Sequence, residues 1–262
     1  MTVLKIERAG ATAVLTMNRP EQRNALDTAL REAFADAVAG IRDDTSVRAV
    51  VLTGAGGHFC AGGDVKQMDR APGEAGVFAS RERLRFLHRW FDELVDLEKP
   101  VIAAVDGVAF GAGLSLALAA DFVLASPRAR FCSVFARLGF VPDLGGMYLL
   151  PRAVGLARAK EMVFSARVVE ADEAARIGLV QRIVADEPLQ EALAFAERFH
   201  HAPTEAIGMA KGIMNHAFES ERRDIYAQEA LAQSLCLRSD YHLEAVRRFR
   251  DKEPALYQWP QP

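Results

Sequence analysis

The chain is poor in cysteine. Its 262 residues include only Cys60, Cys132 and Cys236, an odd number spaced too widely for a disulfide framework or a metal-ligand pattern. Unpaired thiols suit a reducing compartment, so the protein is expected to be cytoplasmic and to have no metal centre. A strong charge of either sign is also missing. The 32 Lys and Arg are offset by 35 Asp and Glu, leaving a formal charge of −3. That balance argues against partners held by bulk charge, and neither nucleic acid nor a membrane surface is expected. The most apolar stretch, residues 107–120, falls short of the roughly 18 to 20 residues a membrane span needs. The opening MTVLKIERAG has no long apolar core of the kind a signal peptide carries. What the chain does have is hydrophobic residues, at half of its length, enough for one large core with a helical appendage.

The organising stretch is KPVIAAVDGVAFGAGLSLALAAD, residues 99–121. Residues 101–105 read as a buried strand, and Gly107, Gly111 and Gly113 punctuate its passage into a buried helix. A helix start reached through glycines leaves backbone N–H groups free. Those donors and the positive end of the helix dipole can hold an anion or a developing oxyanion. The same design occurs earlier, where a strand at 48–53 exits into GAGGHFCAGGDVKQM, residues 54–68, with a short helix expected after Asp64.

Ahead of these, residues 3–7 and 13–17 form a hairpin pattern. Asp27 is a plausible N-cap for an amphipathic helix over 28–42, in which Leu30, Phe34, Val38 and Ile41 share one face. Residues 71–79 read as a surface loop and 81–97 as a helix. Short strands at 122–125 and 130–132 lead to a second turn cluster, Pro142-Asp143 and Gly145-Gly146. Beyond it the chain becomes helical (157–165, 171–177, 189–200, 204–220, 221–237 and 239–250), with one strand at 180–184. Helical apolar faces with no sheet to cover imply association between copies. Asp106 and Asp121 read as ties for loop amides, and His200 and His201 as helix-end imidazolium groups.

Five segments in order, NRPEQRNAL (18–26), HFCAGGDVKQM (58–68), residues 99–121, GFVPDLGGMYLLPRAVG (139–155) and A-D-E-A-x-x-x-G-L-V (171–180), make the chain resemble the crotonase superfamily, the enoyl-CoA hydratase/isomerase family, over essentially its whole length. The resemblance implies an α/β fold, a crotonase-type spiral of ββα units over 1–186, followed by a helical trimerisation region over 187–262. It implies an acyl-CoA thioester as substrate, with coenzyme A part of that substrate and no separate cofactor, and a homotrimer or dimer of trimers. Residue by residue, it places the oxyanion-hole amides at Gly63 and Ala112. Coenzyme A contacts fall at Arg23, Ala25, Ala61, Asp64, Val65 and Lys252, and the acyl pocket at Ser115, Phe135, Met147 and Tyr148. The second oxyanion position is usually glycine in the family, so Ala112 is tolerable only if its φ is negative.

The acid–base residues depart from the hydratase pattern. Where hydratases of this family use two glutamates, this chain has Ser115 and Phe135. Phenylalanine has no ionisable group and Ser115 has no evident activating base, so addition of water loses both its proton acceptor and its donor. Asp143 is the remaining candidate. On its own it could be no more than a turn former. However, dienoyl-CoA isomerase-like and ring-1,2-epoxyphenylacetyl-CoA isomerase-like members carry an aspartate there, within a V-P-D-x-G-G pattern. The expected activity is therefore an acyl-CoA isomerase that moves a double bond with Asp143 as the proton carrier. A hydratase or other crotonase reaction, or a non-catalytic acyl-CoA-binding homologue, stands as the alternative.

Overall fold

The computed structural model describes residues 2–65, 77–185 and 187–259. Its main sheet has six strands in the order β1-β2-β3-β4-β6-β9: β1 (Leu4–Ala9), β2 (Thr12–Met17), β3 (Ala49–Gly54), β4 (Val101–Val105), β6 (Phe122–Ala125) and β9 (Arg182–Ile183). The first pair is antiparallel and the others are parallel. A second sheet joins β5 (Val108–Phe110), β7 (Arg130–Cys132) and β8 (Val169–Glu170). The chain steps repeatedly from the first sheet to the second and then into a helix, as in β4, β5 and α3 (Ala112–Leu118). This is the ββα spiral that the sequence implied. Strand β5, inside what reads as a glycine-rich turn, was not anticipated.

The central strands are apolar along their whole length because both faces of the sheet are covered. Alternation by two sends Val50, Leu52, Ala103 and Val105 to one side, beneath α1 (Thr28–Asp43) and α2 (Val77–Val95). Ala49, Val51, Ile102 and Ala104 face the other, beneath α7 (Pro188–Glu197). Helix α7 thus covers the sheet, contrary to the expectation that helices beyond residue 187 have none to cover. Phe34 of α1 stacks on Trp90 of α2, with ring centroids 5.3 Å apart.

Helix α1 begins where expected. Asp27 accepts a hydrogen bond from the Leu30 amide at 2.8 Å, and the buried Lys99 ammonium donates to the carbonyls of Ile41, Arg42 and Asp44 at the other end. Helix α2 starts at Val77, so residues 77–79 are helical rather than loop. The remainder of the loop expected at 71–79, and the short helix expected after Asp64, lie outside the described residues.

The aspartates behave as ties. Asp106 accepts from Gly107 N–H at 3.0 Å and from Ser126 Oγ at 2.7 Å, and Asp121 from Val101 N–H at 2.7 Å. His200 differs from the helix-end reading. It lies 2.8 Å from Thr12 Oγ1, and burial lowers its pKa, so the neutral ring is favoured over imidazolium. The remaining helices are α4 (Gly146–Val154), α5 (Leu156–Ser165), α6 (Ala171–Arg176), α8 (Thr204–Asn215), α9 (Arg222–Cys236) and α10 (Asp240–Arg250). Helices α9 and α10 bury none of their residues in the single chain, and Leu231, Leu235, Leu243 and Phe249 are exposed. Among the described residues no helix is long and apolar enough to cross a membrane.

Lys211 of α8 docks on the core by donating to Asp121 at 2.9 Å and to the Lys99 carbonyl at 3.3 Å. Removing one partner of such a buried pair strands the other charge. Lys211→Met is expected to lower unfolding free energy in urea by about 3–5 kcal/mol, with much of the loss recovered in the Lys211→Met/Asp121→Asn double variant.

Candidate functional site

Two glycine-rich loops meet main chain to main chain. Cys60 N–H donates to the Val108 carbonyl and Phe110 N–H to the Cys60 carbonyl, both at 2.9 Å, so the segment after β3 runs beside β5. The contact tolerates no side chain where it is closest. A Cβ on Gly113 would lie 2.2 Å from the Cys60 carbonyl oxygen, and one on Gly62 (φ +101°) would lie 2.8 Å from that of Phe110 and 3.6 Å from Ala112 N. Gly111 precedes α3 at φ 54°, ψ −121°. Ala112 is then the first residue of α3, so its N–H has no acceptor within the helix. Ala112 is not among the residues with positive φ, which meets the condition for an alanine amide to serve at this position. Gly63 lies on the facing loop. Its N–H has no acceptor among the described residues, because the parallel bridge with Leu26 uses its neighbours, Leu26 N–H to Gly62 O and Asp64 N–H to Leu26 O.

A third segment closes the group. Residues 23–26 run beside 61–64, with Ala61 N–H donating to the Arg23 carbonyl at 2.9 Å. Arg23, Ala25, Ala61, Gly63 and Asp64 are therefore gathered together. Asp64 is buried and its carboxylate takes a 3.0 Å ion pair from Arg19, which also reaches Asp27 at 3.1 Å. The carboxylate thus anchors the loop and is not presented outward. Val65 is exposed. Lys252 stands apart at the bend after α10, and among the described residues its ammonium makes no hydrogen bond or ion pair.

Asp143 sits in the turn before α4, where Leu144 (φ 46°) and Gly145 (φ 66°) reverse the chain. Ser115, buried on α3, donates its hydroxyl to the Asp143 carbonyl at 2.9 Å. Gly146 leaves room for this, since a Cβ there would lie 2.7 Å from Ser115 Oγ. Ser115 therefore fixes the backbone that carries Asp143, a role its sequence context did not reveal. Phe135 places its ring against Gly111, putting hydrocarbon beside the start of α3. The Asp143 Oδ1 atom is buried with no hydrogen-bond partner among the described residues. Burial pushes this carboxyl above its ordinary value, against the opposing pull of the Arg31, Arg83 and His88 charges.

Tyr148, expected in the acyl pocket, is aimed at α8. Its hydroxyl donates to the Asn215 carbonyl at 2.9 Å, and the Arg152 guanidinium lies 3.3 Å from its ring centroid. Tyr148 lines a cavity of about 660 Å³ between α2, α4 and α8 that does not include Asp143, Ser115 or Phe135. Its own titratable groups, among them Asp92, Asp96, His216 and Glu219, are not those that the family resemblance singled out. Met147 is exposed on the first turn of α4. Sequence reasoning also missed Arg31, buried on α1 beside this site. Its signal was its place three residues before Phe34, on the inward edge of the helix.

A raised carboxyl pKa has a sign that can be tested. The protonated form of Asp143 is favoured by folding, so its contribution is present below the unfolded value and is lost as pH rises through the folded one. Asp143→Asn is expected to melt above the wild type at pH 7, and the gap should close below the ordinary carboxylate value of 3.8. Thermal scans across pH check this.

Comparison with known proteins gives the family and the fold. The family model described as Enoyl-CoA hydratase/isomerase matches residues 7–260. A probable enoyl-CoA hydratase of Rhizobium meliloti is 38% identical over 217 residues, 82% of each chain. A 1,2-epoxyphenylacetyl-CoA isomerase of Escherichia coli is 35% identical over 239 residues, 91% of each. A crystal structure of an enoyl-CoA hydratase/isomerase from Cupriavidus metallidurans superposes with a TM-score of 0.90 at 37% identity, covering 100% of this chain and 98% of that one.

Proposed function

Because the chain belongs to the enoyl-CoA hydratase/isomerase family, we propose that it is an acyl-CoA isomerase in which Asp143 moves a proton along the acyl chain. One observation carries the preference for isomerase: a half-buried Asp143 whose Oδ1 is buried without a hydrogen-bond partner and whose pKa is raised by burial, with a hydroxyl already engaged at Ser115 and a hydrocarbon ring at Phe135. A single such carboxylate suits proton shuttling and leaves no second group to position water. The epoxyphenylacetyl-CoA isomerase relative supports an isomerase reading and the relatives named hydratases support the alternative, so the preference rests on Asp143, Ser115 and Phe135.

The proposed reaction starts with the thioester carbonyl held by the amides of Gly63 and Ala112. In a 3-enoyl-CoA, Asp143 takes a proton from C2. The electron pair of that C–H bond forms the C1–C2 double bond of a dienolate, and the carbonyl π pair moves to the thioester oxygen. Protonated Asp143 then returns the proton at C4, where the C3–C4 pair makes the new C–H bond. The C1–C2 pair becomes the C2–C3 double bond, the carbonyl is restored, and the product is the 2-enoyl-CoA. The two amides stabilise only the charge that develops, and each such donor is worth about 3–4 kcal/mol elsewhere. The exposed apolar residues of α9 and α10 support assembly as a trimer or dimer of trimers, and the unpaired thiols support a cytoplasmic location.

The test is mass spectrometry of 3-enoyl- and 2-enoyl-CoA incubated in D₂O. Wild type is expected to give isomer and incorporated deuterium, with a rate that falls as pH drops through the raised Asp143 value. Asp143→Asn is expected to lose both by about 10²–10⁴-fold. Hydrate formed equally by both proteins would overturn the assignment in favour of a hydratase, and coenzyme A binding without turnover or exchange would favour a non-catalytic binder. Gly113→Ala, which drives a methyl into the Cys60 carbonyl, should cost about 10²-fold or more in kcat by displacing a donor, read from the same assay.

A further inference from the structure

We propose that the Arg31 guanidinium forms a subsite for an uncharged acceptor oxygen on the acyl group, a ketone, ether or hydroxyl beyond the reacting carbons. The inference rests on the acyl-CoA reading of the site. Arg31 is only 8% exposed, yet among the described residues its guanidinium makes no hydrogen bond and no ion pair, and its Nε is buried without an acceptor. Burial of an arginine is costly, and buried examples are normally paired. Every other buried cation of this core follows that rule: Lys99 donates to three carbonyls, and Lys211 to Asp121 and a carbonyl. Among the described residues only Trp90 Nε1 and Asp143 Oδ1 are likewise buried without a partner, and of the three Arg31 alone is a cation, so its unsatisfied fork marks a position for an oxygen supplied from outside.

Its location identifies the donor of that oxygen. Arg31 lies one turn beyond Asp27, to whose carbonyl its backbone N–H donates at 3.1 Å, and Arg19 ties Asp27 to Asp64 on the loop that carries Gly63. The charges of Asp143, Asp27 and Asp64 all act on the guanidinium, with Arg83 opposing. Asp143 presents its own unpartnered oxygen in the same region. An acyl chain whose thioester lies on the two amides and whose allylic carbons reach Asp143 would lead its distal part toward Arg31. Charge decides the kind of oxygen. Three aspartates already balance Arg31, Arg19 and Arg83, and a carboxylate would add a fourth negative charge beside the base. A neutral acceptor satisfies Nε without that repulsion.

Equilibrium binding separates this inference from the proton-transfer reading, because saturated thioesters bind without reacting. Titration calorimetry would compare heptanoyl-CoA with 4-oxo-, 5-oxo- and 6-oxoheptanoyl-CoA, and with the dicarboxylic heptanedioyl-CoA. Wild type is expected to bind one oxo chain about tenfold tighter than heptanoyl-CoA, and Arg31→Met to bind the two alike. The preference should persist in Asp143→Asn. Equal binding of all chains by the wild type overturns the subsite even if the variant fails to fold, as does a preference that survives in Arg31→Met. Tightest binding of the dicarboxylic chain overturns the uncharged class. Loss of isomerisation chemistry with the oxo preference intact would count against the Asp143 mechanism alone, and failure to bind any acyl-CoA would overturn both.

Discussion

The constraint on which the site depends is the contact of two main chains with nothing between them. Residues 60–63 and 110–113 approach so closely that a single methyl on Gly113 would overlap a carbonyl oxygen. Everything functional is hung from that contact. It starts α3 at Ala112, leaves that residue's amide unpaired, and sets Gly63 on the facing loop. The sheets serve the contact in turn. β3 and β4 are neighbours in the main sheet, so the loops that leave their ends emerge side by side.

Around the amides, side chains do a second kind of work. Arg19 holds Asp64 and Asp27 together, Ser115 holds the Asp143 backbone, and Lys99 closes the end of the helix that carries Arg31. None of these need touch a substrate. Each fixes the position of a group that could, and each is buried or half-buried, where a hydrogen bond to a charged group is stronger than at the surface. Asp143 is the exception, a carboxylate with no hydrogen-bond partner at its buried Oδ1 among the described residues, although the Arg31, Arg83 and His88 charges act on it. A satisfied carboxylate there would be more stable and a poorer base.

Much of the architecture was legible because its signals are local. An unbroken apolar run at 101–105 has one sensible place, a strand covered on both sides, and Asp27 before an amphipathic repeat capped its helix as written. What failed depended on tertiary contacts. β5 was hidden because its glycines read as turn, while its partner strand lies 22 residues away. The direction of Tyr148 was equally hidden, because the rotation of α4 that aims it at α8 is not written locally. Arg31 drew no notice in the sequence, and only the fold shows that this side chain on α1 is buried. The role of Ser115 needed the carbonyl of a residue 28 positions on.

The proposed use of backbone amides to hold the thioester has a consequence for how the protein can change. An amide is present at every residue except proline, so no ordinary substitution at Ala112 deletes its donor. The polarising half of the site is thus written in the path of the chain, while the proton-moving half is written in a few replaceable side chains at 115, 135 and 143. Such a scaffold can exchange one reaction for another by altering those three letters, and keeps the expensive part, the stabilised enolate, throughout.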